Sequence, residues 1–146
     1  MGNARKTVLR LLTRLENSGS YSNILLDEGL ERSDLSTQDK KFAAALFYGV
    51  LERQITLDNI IREYSRNPKN KLGTEVRVIL RMGLYQLLYM DSVPDNAAVD
   101  ESVKLAKKNR NPAASGFVNA MLREFIRNDK KLPKGRNATE ELSIEY

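Results

Sequence analysis

Cysteine and histidine are both absent from the 146 residues, and this limits the chemistry the chain can perform. Without a thiol there is no cysteine nucleophile, no disulfide and no thiolate zinc site. Without an imidazole, the commonest metal ligand and the commonest general base near neutral pH are missing as well. Carboxylates, lysines, tyrosines and hydroxyls remain. The acidic pairs Asp27 with Glu28, Asp100 with Glu101 and Glu140 with Glu141 are chain neighbours. Neighbours on a helix point in different directions, so none of these pairs makes an acid–base dyad. No GxGxxG loop is present to cradle a cofactor. We therefore expect no catalytic residue, no metal site and no cofactor within this chain.

Positive charge is what the sequence does supply. The formal charge is +5, the sequence pI is about 9.5, and the excess is unevenly placed. Residues 1–20 carry a net +3 from Arg5, Lys6, Arg10 and Arg14 against Glu16, and residues 103–136 carry a net +8. Residues 21–102 come to −3. Two basic ends around a mildly acidic centre fit a fold in which the ends meet on one face toward a polyanion, because neutralising phosphates provides most sequence-independent affinity for nucleic acid. A merely solubilising surface is the competing reading of the same charges.

The elements that must position these charges read as helices almost throughout, giving an all-α class with about seven helices in one compact bundle. A first helix over about 4–17 carries Val8, Leu11, Leu12 and Leu15 on one stripe, with the basic residues mostly off it. A second, over about 23–32, follows Ser22 or Asn23 as its cap. Ser36 and Asp39 form a capping pair before the run from Phe42 to Leu51, whose breadth predicts a central, nearly enclosed helix. Thr56 is read as the cap of a fourth helix, after a break near Gln54, that carries Leu57, Ile60, Ile61 and Tyr64. Helix five spans about 74–89 as a second core element, with Arg77 and Arg81 a turn apart off its stripe. Pro94 opens helix six, whose early Asp100 and Glu101 and late Lys104, Lys107 and Lys108 match the helix dipole. Pro112 opens helix seven, which runs to about Asn128. Residues 129–146, with Pro133, Gly135 and Asn137, read as a linker. The apolar runs Phe42–Phe47 and Leu84–Met90 are too short to span a bilayer, and no apolar segment follows the N-terminal charges. A soluble, cytoplasmic protein with no membrane partner is expected.

Five segments in this order carry a family resemblance: YSNILLDEGL (21–30), LFYGVLERQITLD (46–58), VILRMGLYQLL (78–88), VPDNAAVDESVKLAK (93–107) and GFVNAMLR (116–123). Together they resemble the NusB-like domain that begins bacterial RsmB-type methyltransferases, which methylate carbon 5 of a cytosine in 16S ribosomal RNA. The likeness covers about residues 4–128. The NusB transcription antitermination factor is itself similar in the second half, so both members of the superfamily stay open. YSNILLDEGL, and LSIEY at 142–146, favour the methyltransferase.

The resemblance implies an RNA-binding domain over 1–128 that helps dock 16S rRNA, and a linker over 129–146 toward a catalytic domain that lies outside this chain. S-adenosylmethionine and the cysteine nucleophile would belong to that catalytic part. The partners implied are ribosomal RNA and the catalytic domain. The alternative, a free-standing antitermination factor, adds a ribosomal protein. The family's basic N-terminal region coincides here with Arg5 and Lys6. The phosphate-contact candidates are Arg5, Lys6, Arg10 and Arg14 on the first helix, with Lys107, Lys108 and Arg110 at the end of the sixth. For any single one of these, a solvated helix face is the competing reading. The tyrosines at 21, 48, 64, 85 and 89 fall on or beside apolar stripes and are expected to be core or edge residues. Asn119 is expected to satisfy a backbone group at a helix junction.

Overall fold

The periodic stripes become seven α-helices in the computed structural model, which describes residues 3–19, 21–65, 72–108 and 112–133. In chain order these are α1 (Asn3–Ser18), α2 (Ser22–Glu31), α3 (Thr37–Glu52), α4 (Gln54–Tyr64), α5 (Thr74–Tyr89), α6 (Asp95–Lys107) and α7 (Pro112–Arg127). No strand occurs among the described residues, and the fold is all-α.

Helix starts follow local chemistry where a cap exists and packing where none does. Ser36, in an extended conformation, accepts a hydrogen bond from the Asp39 amide at 3.1 Å and opens α3. At α2 the expected Ser22 or Asn23 cap is not used: Tyr21 holds the N-cap position without a side-chain bond. Thr56 does not cap α4 either. The helix already begins at Gln54, directly after Arg53, and Thr56 is fully buried within its first turn, its hydroxyl unpartnered among the described residues. The break expected near Gln54 falls at Arg53, which ends α3 and precedes α4.

The enclosed helix is α5, and α3 is the more peripheral of the two core helices, the reverse of the expectation. On α3 Lys41, Ala45, Tyr48 and Glu52 form an exposed edge. On α5 every residue from Val78 to Leu84 is buried, as are Gln86 and Leu87. It packs against α1, α3, α4, α6 and α7. Fully burying Ile79, Leu80 and Leu84 stabilises the fold by about 1.5–3 kcal/mol each. Gly83 makes the close approach of α6 and α7 possible: a Cβ there would lie 2.8 Å from Ser102 Oγ and 2.9 Å from Leu122 Cδ1. The Tyr85 ring crosses α3 directly over Gly49, so the small residue at 49 serves packing.

α1 runs antiparallel to α5, with Arg5 bonded to Gln86 at one end and Glu16 bonded to Arg77 and Arg81 at the other. Arg81, only 5% exposed, donates through Nε to Asp58 Oδ1 at 2.7 Å and through Nη1 to Glu16 Oε2 at 2.8 Å. One guanidinium thus ties α1 and α4 to α5. Burial alone would push the Glu16 carboxyl up, but the hydrogen bonds and charges of Arg81 and then Arg77 outweigh it and hold the group below its ordinary value.

α7 ends at Arg127, and the described residues after it stay against the bundle. Asp129 and Lys130 turn the chain in the left-handed region at φ of 58° and 56°. Lys130 then donates through Nζ to the Leu87 carbonyl at 3.1 Å and to Asp95 Oδ1 at 2.9 Å. Leu132 packs on the core. The first residues assigned to the linker are therefore docked, and 134–146 lie outside the described residues.

Candidate nucleic-acid interface

The helical repeat of α1 separates its side chains into two populations. Val8, Leu11 and Leu12 are buried, whereas Lys6, Arg10 and Arg14 are exposed. α6 ends on exposed Lys107 and Lys108. Packing brings part of these two sets together. Lys6 and Arg10 of α1 and Lys108 after α6 line one open groove of about 440 Å³, with Leu9 and Leu105 as its apolar part. Among the described residues none of the three cations takes part in an ion pair. Unpaired and exposed, they keep their hydrogen-bond donors available to phosphate oxygens.

The other candidates are placed differently. Arg14 and Lys107 are exposed outside the groove lining, and Arg110 lies outside the described residues. Arg5 turns inward: its Nε donates to Gln86 Oε1 at 2.7 Å and its guanidinium lies 4.9 Å from the centre of the Phe42 ring. Burial lowers its pKa from the ordinary arginine value, against the opposing field of Glu101. The Gln86 side chain is itself buried and fixed on the Met82 carbonyl at 3.0 Å. Arg5 thus anchors the start of α1 to α5, and its engagement with Gln86 and Phe42 removes it from the solvated set.

The strongly basic segment 103–136 also divides. Lys104 pairs with Glu101, Arg123 with Asp100 and Lys130 with Asp95. Arg127 and Lys131 line a separate hollow of about 390 Å³ beside Glu63 and Tyr64. Of the described residues in this segment, the groove takes its cation from Lys108 at the end of α6.

Two residues that sequence reasoning missed complete the groove lining: Glu75 in the first turn of α5, and Thr13. Glu75 reads in sequence only as an acid suited to a helix N-terminus, and nothing local places it opposite α1. Asn119 corrects a different expectation, since its Oδ1 accepts from Arg123 Nε at 2.9 Å and so bonds a side chain. Tyr21 and Tyr48 are 79% and 41% exposed, so neither is a core residue. No group of three or more carboxylates among the described residues could hold a metal ion. No helix among them is long and apolar enough to cross a membrane.

Residues 2–127 match the NusB family. The probable ribosomal RNA small subunit methyltransferase B of Synechocystis sp. is 37% identical over 144 residues, which are 99% of this chain and 32% of that protein. The chain thus spans about a third of that relative's length. The transcription antitermination protein NusB of Ruminiclostridium cellulolyticum is 33% identical over 138 residues, 94% of each chain. A solved structure of antitermination factors NusB and NusE in complex with dsRNA superposes with a TM-score of 0.78 at 24% identity, covering 87% of this chain and 96% of that one. With seven helices in the same arrangement and a family match over nearly its whole length, this chain belongs to the NusB family.

Proposed function

We propose that this chain is an RNA-binding domain that docks 16S ribosomal RNA for an S-adenosylmethionine-dependent cytosine-C5 methyltransferase, with catalysis in a domain outside these residues. The observation that carries the reading is the groove in which Lys6, Arg10 and Lys108 converge from two helices, none of them in an ion pair among the described residues. The 37% identity to a methyltransferase B over a third of that protein's length supports the larger enzyme. Tethering a substrate-binding domain to an active site raises the local concentration of substrate with no chemistry in the tethered part. On this reading the protein works in the cytoplasm, with ribosomal RNA and its own catalytic domain as partners. The chain beyond the docked residues 129–133 serves as the connection.

The end-to-end match to the antitermination protein of R. cellulolyticum favours a second reading, a free-standing factor that binds RNA together with a ribosomal protein. Titration against purified ribosomal proteins separates the two, because only this second reading requires a protein complex.

Salt dependence of binding to small-subunit rRNA fragments tests the RNA interface shared by both readings. Affinity should fall steeply between about 50 and 200 mM salt, and the logarithmic slope should shrink by about two to three in a Lys6→Ala/Arg10→Ala/Lys108→Ala variant. Affinity that ignores salt, or a variant with the wild-type slope, would contradict it.

A further inference from the structure

The groove is larger and chemically more varied than phosphate binding needs. A phosphate fills only a small part of about 440 Å³, and pockets for whole small molecules begin at roughly 300 Å³. Part of its lining is apolar, from the buried leucines Leu9 and Leu105. The Thr13 hydroxyl lies buried behind its wall, without a hydrogen-bond partner among the described residues. Glu75 brings a carboxylate, with no ion pair among the described residues, into a site whose other charged lining residues are cations. A carboxylate repels phosphate, so in this position it weakens binding unless the ligand gives it a hydrogen bond in return.

We infer that the groove takes one unpaired ribonucleotide, with its phosphates on Lys6, Arg10 and Lys108, one face of its ring or sugar on Leu9 and Leu105, and a donor group hydrogen-bonded to Glu75. The inference rests on the reading of this groove as the RNA interface and adds the nucleotide's form and its recognition. A base in a duplex is stacked and paired on both sides, whereas an unpaired nucleotide can lay a face on apolar side chains and turn its donors outward. Two donors share the required chemistry: the ribose 2′-hydroxyl, and an exocyclic amine such as that of cytosine.

The test uses the full 146-residue chain and four short single strands: cytosine-rich and uracil-rich RNA, and the DNA counterparts of each. The wild type should prefer RNA over DNA, or cytosine over uracil, by about tenfold, the discrimination of one good polar contact. Glu75→Ala should abolish that preference. Collapse of the RNA-to-DNA ratio identifies the 2′-hydroxyl, and collapse of the cytosine-to-uracil ratio identifies the amine. Thermal melting verifies that the variant folds, and Glu75→Leu, which keeps much of the side-chain bulk and also removes the acceptor, replaces it if it does not. A uniform rise in affinity for all four strands with unchanged ratios would show that Glu75 acts by repulsion alone and would overturn the inference. So would a wild type that treats all four alike. Failure of the underlying interface looks different: the Lys6→Ala/Arg10→Ala/Lys108→Ala variant would then bind every strand as the wild type does.

Discussion

Arg81 and Arg10 put the same side chain to opposite uses in adjoining parts of one bundle. Arg81 is buried on α5 and held between Asp58 of α4 and Glu16 of α1. Arg10 is exposed on α1, beside Lys6 and Lys108, and pairs with no described carboxylate. The acid that α1 itself carries, Glu16, is committed to α5 at the helix's far end. One junction uses ionic chemistry to fix the helix, and the other leaves it open to a ligand. Net charge does not distinguish them; a carboxylate bonded directly to the guanidinium does.

Substitutions should separate the two regions cleanly. Arg81→Ala removes a desolvated cation shared by three helices and should cost about 2–3 kcal/mol in urea unfolding, while the RNA affinity of the folded protein stays within about twofold of wild type. Unchanged stability would show that the junction contributes little. Next in size, Lys6→Ala/Arg10→Ala/Lys108→Ala should lower RNA affinity about tenfold or more at about 100 mM salt and leave unfolding within about 0.5 kcal/mol of wild type. A large loss of stability instead would mean that the groove cations hold the fold. Lys130→Ala should cost about 1 kcal/mol, the net value of its bonds to Leu87 and Asp95. No loss in chemical unfolding would count against docking of residues 129–133.

The smallest effect concerns pH. Glu16 has a folded pKa below its ordinary value of 4.5, so its stabilising contribution is complete above that value and is lost as pH falls through the folded one. Stability should decline on the acid side of 4.5, and Glu16→Gln should flatten that limb in melts recorded across the acid range. An acid limb unchanged by the substitution would assign the decline to other carboxylates.

How much of this was legible in the sequence depends on how local each cause is. The extent of α5 and the Ser36 cap of α3 follow from a continuous apolar stripe and from a bond spanning three residues. The start of α4 does not, because Thr56 sits inside the core where burial outweighs its preference for a cap. That α5 and not α3 is enclosed depends on which helices surround it, and both sequences have wide apolar faces. Arg5 and Lys6 are neighbours with the same charge, yet one contacts Phe42 and Gln86 and the other a solvent groove; the partners that decide this are distant in sequence. Arg81 is the same case, with Glu16 65 residues away. Asn119 with Arg123 was within reach, since four residues on a helix place side chains together. Glu75 and Thr13 join the groove only through the packing of α1, α5 and α6.

Backbone amide shifts recorded while an unpaired 16S fragment is titrated into the isotope-labelled chain test the central claim most directly. The basic groove predicts that the largest changes cluster at Lys6, Arg10, Glu75 and Lys108, with little movement at Arg127 and Lys131 in the separate hollow. Changes centred on Arg127 and Lys131, with α1 unaffected, would contradict it.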